Sequence, residues 1–126
     1  MTTAYWCVLI AALLPYLGTL SAKIGGHMAP NANHNPREWL EQLSGWQKRA
    51  HWFQLNSFEV FAPFAAAVII ATQLHAPQAR IDLLAEIFIA CRLAHYAFYV
   101  ADWASLRSLA WFGGSICTVW LFVLGA

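Results

Sequence analysis

The sequence predicts an all-α integral membrane protein whose four transmembrane helices form an up-down bundle. Only 10% of its residues are charged, whereas soluble domains contain about 25%, so lipid must cover much of the surface. Four apolar runs also approach the length of about 20 residues with which a helix crosses a bilayer. Because 126 residues form at most one core, we expect a single membrane domain over residues 1–126.

Each of the four predicted spans is defined by its apolar run. They cover residues 4–22, 50–74, 83–101 and 109–126. The first and fourth spans carry no charge, the second contains Glu59, and the third contains Glu86, Arg92 and His95. Pro15 lies within the first span, where a kink is tolerated if neighbouring helices satisfy the freed carbonyl.

The connections between the spans predict how the helices follow one another. The first connection, residues 23–45, is long, and its glycines, Pro30 and an Asn-rich patch predict chain that is not helical. Within it, Asn35 and Pro36 are typical of an N-cap and a first helical residue. We therefore expect a short helix over residues 36–43 near the membrane surface. The other two connections are short, which favours antiparallel neighbours.

Basic residues near the span ends predict the orientation, because cytoplasmic loops carry an excess of Lys and Arg. The side formed by the first and third connections has five of them, and the opposite side has only Arg80. The five are Lys23, Arg37, Lys48, Arg49 and Arg107. We therefore expect both termini on the non-cytoplasmic side.

Charge and cysteine usage argue against several other classes of protein. A net charge of +1 gives no electrostatic basis for binding nucleic acid. Cys7, Cys91 and Cys117 lie far apart without C-x-x-C spacing, so we expect buried free thiols and no metal site. The first ten residues contain no Lys or Arg, so we expect the first apolar run to remain as a span rather than to be cleaved as a signal peptide.

Polar side chains form two stripes in the second and third spans, where each ionisable residue costs about 2.5–3.5 kcal/mol on insertion. Spacings of seven, three and four put the first stripe on one helix face; it comprises Arg49, Asn56, Glu59 and Pro63. The second stripe comprises Arg92, His95, Tyr96, Tyr99 and Asp102, and Arg107 follows it. Residues this costly to insert need either a structural or a functional reason.

The residues alone leave several interpretations of the stripes open. Glu59 can pair with Arg92 across a helix interface with Asn56 bridging them, in which case the stripes only hold helices or subunits together. The excess of arginine over glutamate instead indicates an anionic ligand. A haem between His51 and His95 is a third interpretation.

The same residues resemble the MAPEG family, the membrane-associated proteins of eicosanoid and glutathione metabolism, and in particular its bacterial branch. The resemblance covers nearly the whole chain, and its motifs are Asn35-Pro36-Arg37, Arg49-Ala50, Asn56, Glu59, Pro63, Arg92, His95-Tyr96, Tyr99 and Leu106-Arg107. The sequence departs from the family pattern at Trp52 and Val60, where the glutathione-binding members usually carry an arginine and a tyrosine. His95 also stands where a tyrosine is common.

The resemblance implies a homotrimer in a bacterial inner membrane, with glutathione as co-substrate bound between subunits near the cytoplasmic side. Its implied glutathione-binding residues are Arg49, Asn56, Glu59, Arg92, His95, Tyr96 and Tyr99. Glu59 would meet the ammonium, Arg92 and Tyr99 the carboxylates and backbone, and Arg107 would be the catalytic arginine at the thiol. The implied activity is that of a glutathione transferase or peroxidase acting on apolar or lipid electrophiles. The alternative is a non-catalytic trimer whose polar residues serve assembly or lipid binding.

Overall fold

The computed structural model describes residues 1–124, which form one 3₁₀ helix and five α-helices. In chain order these are α1 (Thr3–Gly25), the 3₁₀ helix (Pro30–His34), α2 (Pro36–Glu41), α3 (Gly45–Gln73), α4 (Gln78–Ala101) and α5 (Ala104–Leu124). Each of α1, α3, α4 and α5 is long and apolar enough to cross a membrane. The predicted all-α fold with four membrane-crossing helices is confirmed.

The helix bounds differ from the predicted spans mainly at the N-terminal ends. Helices α3, α4 and α5 begin before residues 50, 83 and 109, because polar residues continue a helix beyond the part that hydropathy detects. Helix α2 ends at Glu41, before the predicted residue 43. Residues 125–126 of the fourth predicted span lie outside the described residues.

The expectation of a non-helical Asn-rich patch was wrong for residues 30–34. These residues form the 3₁₀ helix, with Pro30 in its first turn. Proline needs no hydrogen-bond partner there, and the amides of Ala32 and Asn35 donate to the carbonyls of Ala29 and Ala32. Such a single tight turn requires no apolar periodicity.

Small side chains bring the membrane-crossing helices close together. Alanines at positions 4, 11, 22, 50, 67, 71 and 85 are all buried, and small residues allow helices to approach within a bilayer. The rings of Phe64 on α3 and Phe88 on α4 stack with centroids 3.7 Å apart. At the start of α1, the amide of Ala4 donates to Asp82 of α4 over 2.8 Å. This packing defines a bundle in which α3 and α4 lie at the centre.

The C-terminal ends of α1 and α4 and the N-terminal ends of α3 and α5 meet at one end of the bundle. Gly25 of α1 contacts Trp46 of α3, and Arg49 of α3 bonds the carbonyl of Tyr99 on α4. His95 of α4 bonds the backbone of Arg107 on α5. The polar stripes therefore begin at this end and run inward from it.

Gly18 lies at a close approach between α1 and α3, which gives a prediction of stability. A Cβ at Gly18 would lie 2.7 Å from the carbonyl oxygen of Ala50, so we expect Gly18→Ala to destabilise the protein by about 1–3 kcal/mol. At Gly114 the nearest side-chain atom would be 3.6 Å away, so Gly114→Ala should be neutral or stabilising by up to about 1 kcal/mol. Thermal unfolding in detergent measures both, and equal Tm values for the two variants would contradict the packing.

Candidate functional site

Two cavities lie between α3, α4 and α5, and both are lined by Asn56 and Trp111. The larger one, the Arg92 cavity, has a volume of about 320 Å³, and its walls include Glu59 and Arg92. The smaller one, the Arg107 cavity, has a volume of about 230 Å³; its wall also includes His95, Tyr99 and Arg107. The structure therefore brings most of the predicted site residues together around two adjoining spaces.

Arg92 is a buried cation on the inner face of α4. Only 2% of its surface is exposed; its Nη2 donates to Ser57 Oγ over 3.1 Å, and its guanidinium lies 5.3 Å from the centre of the Phe53 ring. Within residues 1–124, no carboxylate forms an ion pair with it. A buried charge without a counter-ion is costly, so this arginine is a candidate for binding an anion.

Within residues 1–124, Glu59 does not pair with Arg92, so one of the interpretations that the stripes left open does not hold within a single chain. Glu59 is exposed on the outer face of α3, and its Oε2 accepts a hydrogen bond from Asn56 Nδ2 over 3.2 Å. The reason is rotational: Ser57 is buried and faces Arg92, whereas Glu59 is exposed and bonds Asn56 of its own helix. Glu59 and Arg92 thus contribute opposite charges to different sides of one cavity.

Arg107 is held against α4 by two residues of that helix. Its guanidinium carbon lies 4.7 Å from the centre of the Tyr99 ring, and its backbone carbonyl is 3.1 Å from His95 Nδ1. Because a carbonyl only accepts hydrogen bonds, His95 Nδ1 carries the proton. When the ring is neutral, its Nε2 is an acceptor. The cationic group is therefore placed within the first turn of α5, beside the smaller cavity.

Arg49 and Tyr96 line neither cavity. The guanidinium of Arg49 donates to the carbonyls of Tyr99 and Val100, each over 3.0 Å. The hydroxyl of Tyr96 lies 2.5 Å from that of Ser21 on α1. Both predicted site residues thus make contacts between helices in the single chain.

Three buried polar atoms around the cavities have no hydrogen-bond partner among the described residues. They are Asn56 Oδ1, Arg92 Nε and His95 Nε2. An unsatisfied buried donor or acceptor costs about 1–3 kcal/mol, and a polar ligand or an ordered water that reached these atoms would recover that energy. The cavities are therefore bordered by two groups that can accept a hydrogen bond, Asn56 Oδ1 and His95 Nε2, and by one charged donor, Arg92 Nε.

Comparison with known protein families shows to which family this chain belongs. The sequence model of the MAPEG family matches residues 3–126. The chain belongs to the MAPEG family. A search of curated proteins found no match to it. MAPEG membership makes it a membrane protein of the family associated with glutathione and eicosanoid metabolism, and MAPEG proteins are generally oligomeric.

Some residues around Arg92 and the two cavities were missed in the sequence. Ser57 is buried and accepts from Arg92, while Ser108 and Trp111 line the Arg107 cavity. Ser57 follows Asn56 directly and is a small polar residue in an apolar run, which is a signal that could have been used. Trp111 is one helical turn after Arg107, but tryptophan is too common in this chain to stand out.

His51 belongs to a separate cluster between α2 and α3. Its two ring nitrogens lie 3.2 Å from Glu41 Oε1 and 3.2 Å from Gln54 Oε1, and Lys48 Nζ lies 3.1 Å from Glu41 Oε2. Because both nitrogens of His51 are engaged, the cluster argues against its use as a haem ligand. Hydrogen bonds from His51 and Lys48 lower the pKa of the Glu41 carboxyl.

The lowered pKa of Glu41 predicts how docking of α2 depends on pH. A carboxyl whose pKa is depressed by folding stabilises the folded contact above its ordinary value of about 4.3 and stops doing so as the pH falls through the lowered value. We expect hydrogen exchange over residues 36–41, corrected for intrinsic rates, to accelerate over that range. Glu41→Gln should show fast exchange at every pH, and the exposed Glu38→Gln should behave like the wild type. Exchange in the wild type that does not change over this range would contradict the prediction.

Proposed function

We propose that the protein is a glutathione-dependent transferase or peroxidase that acts on apolar or lipid electrophiles in the membrane. The observation that carries this proposal is the buried guanidinium of Arg92, which forms no ion pair among the described residues and lines a cavity together with Asn56 and Glu59. Glutathione carries two carboxylates and one ammonium group. A site with a cation on one wall and a carboxylate on the other complements such a molecule.

Each residue of the site has a role in this proposal. Arg92 binds a carboxylate through its free Nε and remaining donors, and Glu59 accepts from the ammonium while Asn56 orients it. His95 offers Nε2 as an acceptor, and the ring of Tyr99 packs against the guanidinium of Arg107. Tyr96 contacts Ser21 and the Phe53 ring, and so supports the ring that packs against Arg92 without touching the ligand.

Arg107 is proposed as the catalytic residue that stabilises the thiolate. A thiol has a pKa of about 8.5 and its thiolate is the nucleophile, whereas a guanidinium stays charged and donates in a fork. In transfer, the sulfur forms a bond to the electrophilic carbon and the leaving group departs with its electron pair. In peroxide reduction, two glutathione molecules become a disulfide while the hydroperoxide becomes an alcohol and water.

The exposure of Glu59 supports assembly of several copies. It lies on a face of α3 within the apolar part of the helix, and a charge facing lipid costs about 2.5–3.5 kcal/mol. A second copy that covers this face would remove that cost and close the Arg92 cavity. We propose the homotrimer that the family resemblance implies, with glutathione between copies, in a bacterial inner membrane with both termini on the non-cytoplasmic side.

A non-catalytic trimer is the second candidate. It is favoured by Arg49 and Tyr96, whose polar groups are engaged between helices of one chain. On this alternative the remaining polar residues serve assembly or bind lipid.

The proposed function is tested by assaying protein reconstituted in lipid with glutathione and either an apolar aryl halide or a lipid hydroperoxide. The proposal expects saturable formation of the thioether or of glutathione disulfide, above the rate of empty vesicles. Activity with neither class, at millimolar glutathione and with the protein still oligomeric in detergent, would favour the non-catalytic trimer.

A further inference from the structure

Arg49 stands on α3 but contacts the end of α4 at three points. Its Nε donates to the carbonyl of Tyr99 and its Nη2 to the carbonyl of Val100, each over 3.0 Å. Its Nε also lies 3.9 Å from Asp102 Oδ1. The last carbonyls of a helix have no donor within the helix and carry the negative end of its dipole. The guanidinium of Arg49 bonds two of these carbonyls at once. These hydrogen bonds, the Arg49 contacts, therefore hold α3 against the C-terminus of α4.

The chain between the Arg49 contacts at the end of α4 and Arg107 contains no flexible linker. Asp102 ends α4 in the left-handed conformation, with φ of 64°, and the amide of Trp103 donates to the carbonyl of Phe98 over 2.9 Å. Helix α5 then begins at Ala104, and the amide of Arg107 donates to the carbonyl of Trp103 over 2.9 Å. Each link is hydrogen-bonded, so the position of the turn determines the position of the first turn of α5.

A second path leads to the same guanidinium through a side chain. Tyr99, whose carbonyl Arg49 holds, also carries the ring that lies 4.7 Å beneath the Arg107 guanidinium. Displacing the end of α4 would therefore move both the backbone and the aromatic support of Arg107. Arg49 itself lines neither the Arg92 cavity nor the Arg107 cavity.

We propose that Arg49 is a positioning residue, which sets the place of the Arg107 guanidinium by holding the turn between α4 and α5, and that it does not contact glutathione. This inference rests on the proposed function, since it gives Arg49 a role in the reaction of that site. It replaces the ligand contact that the family resemblance implies for Arg49. Its consequence is that loss of Arg49 impairs turnover while leaving binding of the tripeptide intact.

The test compares Arg49→Gln and Arg49→Lys with Lys48→Gln. Lys48 carries the same charge on the neighbouring residue but contacts Glu41 on α2, so its variant is a matched control. We expect Arg49→Gln to keep the Kd for glutathione within about 2-fold and to lower kcat about 10-fold or more, because small displacements of a reacting group are costly. Arg49→Lys, which keeps the charge but lacks the planar fork of guanidinium donors, should recover part of that loss. Lys48→Gln should match the wild type.

Hydrogen exchange without glutathione separates this inference from the proposed function. We expect amides over residues 102–107 to exchange about 10-fold faster in Arg49→Gln than in the wild type, since local opening follows the loss of hydrogen bonds. Unchanged exchange at the turn, or a Kd that rises in parallel with the loss of kcat/KM, would overturn the positioning role. If the wild type binds no glutathione, the proposed function fails and the role of Arg49 in turnover fails with it. Faster exchange over residues 102–107 in Arg49→Gln would still establish that Arg49 holds the turn.

Discussion

The Arg107→Gln variant is expected to turn over at least about 100-fold more slowly than the wild type with glutathione and an apolar electrophile. Removing one preorganised donor from the site of a developing oxyanion costs about 10²–10³ in kcat, and the proposed contact with the thiolate is expected to be of similar size. Arg107 is the cation beside the smaller cavity, supported by Tyr99 and fixed through its carbonyl by His95. Its contact is proposed to be with the sulfur, so the Kd for glutathione should change much less than kcat.

The pH profile of this variant gives an independent check on the same role. A guanidinium beside the sulfur stabilises the thiolate and lowers the pKa of the bound thiol below its usual value of about 8.5. Without it the thiolate forms only at higher pH, so the rising limb of the rate should move upward in pH. Arg107→Lys should lie between the two, because it retains the charge but loses the fork.

Arg80→Gln provides the control for this prediction. Arg80 is exposed near the start of α4, at the opposite end of the helix from the site, so its variant should keep the wild-type rate and profile. An Arg107→Gln variant with wild-type kcat would contradict a role at the thiol, whatever its affinity for glutathione.

The Arg92→Met variant is expected to lose glutathione binding without losing stability. A hydrogen bond to a charged group contributes about 1.5–3 kcal/mol, so the Kd should rise about 10- to 100-fold. Arg92 is buried without a counter-ion in the described chain, and replacing such a charge by an apolar side chain of similar length is neutral or stabilising. The hydroxyl of Ser57, which it leaves, can turn to a carbonyl of its own helix.

These two readouts of Arg92→Met distinguish a ligand site from residues that only hold the bundle. The non-catalytic alternative requires Arg92 for packing or assembly, so it predicts a lower Tm and loss of the oligomer in detergent. A variant that stays oligomeric with an unchanged Tm and no longer binds glutathione supports the site. A variant that falls apart while its remaining oligomer binds glutathione normally would contradict it.

Length and hydropathy were sufficient to predict the four membrane-crossing helices, because an apolar run of about 20 residues with few charges is typical of a transmembrane helix. Spacing also placed Asn56 and Glu59 on one face of α3 correctly. It could not tell which neighbour that face meets, because the rotation of a helix about its own axis is set by packing, such as the close approach at Gly18. For this reason the Glu59–Arg92 pair, one of the interpretations left open, does not form within the described chain.

Contacts to backbone carbonyls were the other part that the sequence could not supply. Arg49 and His95 both bond carbonyls of distant residues, and every residue offers such an acceptor, so no pattern of residue types reveals the choice. The contacts of Arg49 with the end of α4 and of His95 with the carbonyl of Arg107 became visible only in the folded chain. The residue types proposed to bind glutathione were already visible in the stripes.

Glutathione titration of the purified protein by calorimetry, with Arg92→Met as the matched variant, tests the central claim most directly. The account predicts saturable binding at millimolar or lower glutathione for the wild type and a Kd raised at least about 10-fold for the variant. Lys48→Gln, which removes a charge outside the site, should bind as the wild type does. Absence of saturable binding by an oligomeric wild-type protein at millimolar glutathione would contradict the claim that these cavities form a glutathione site.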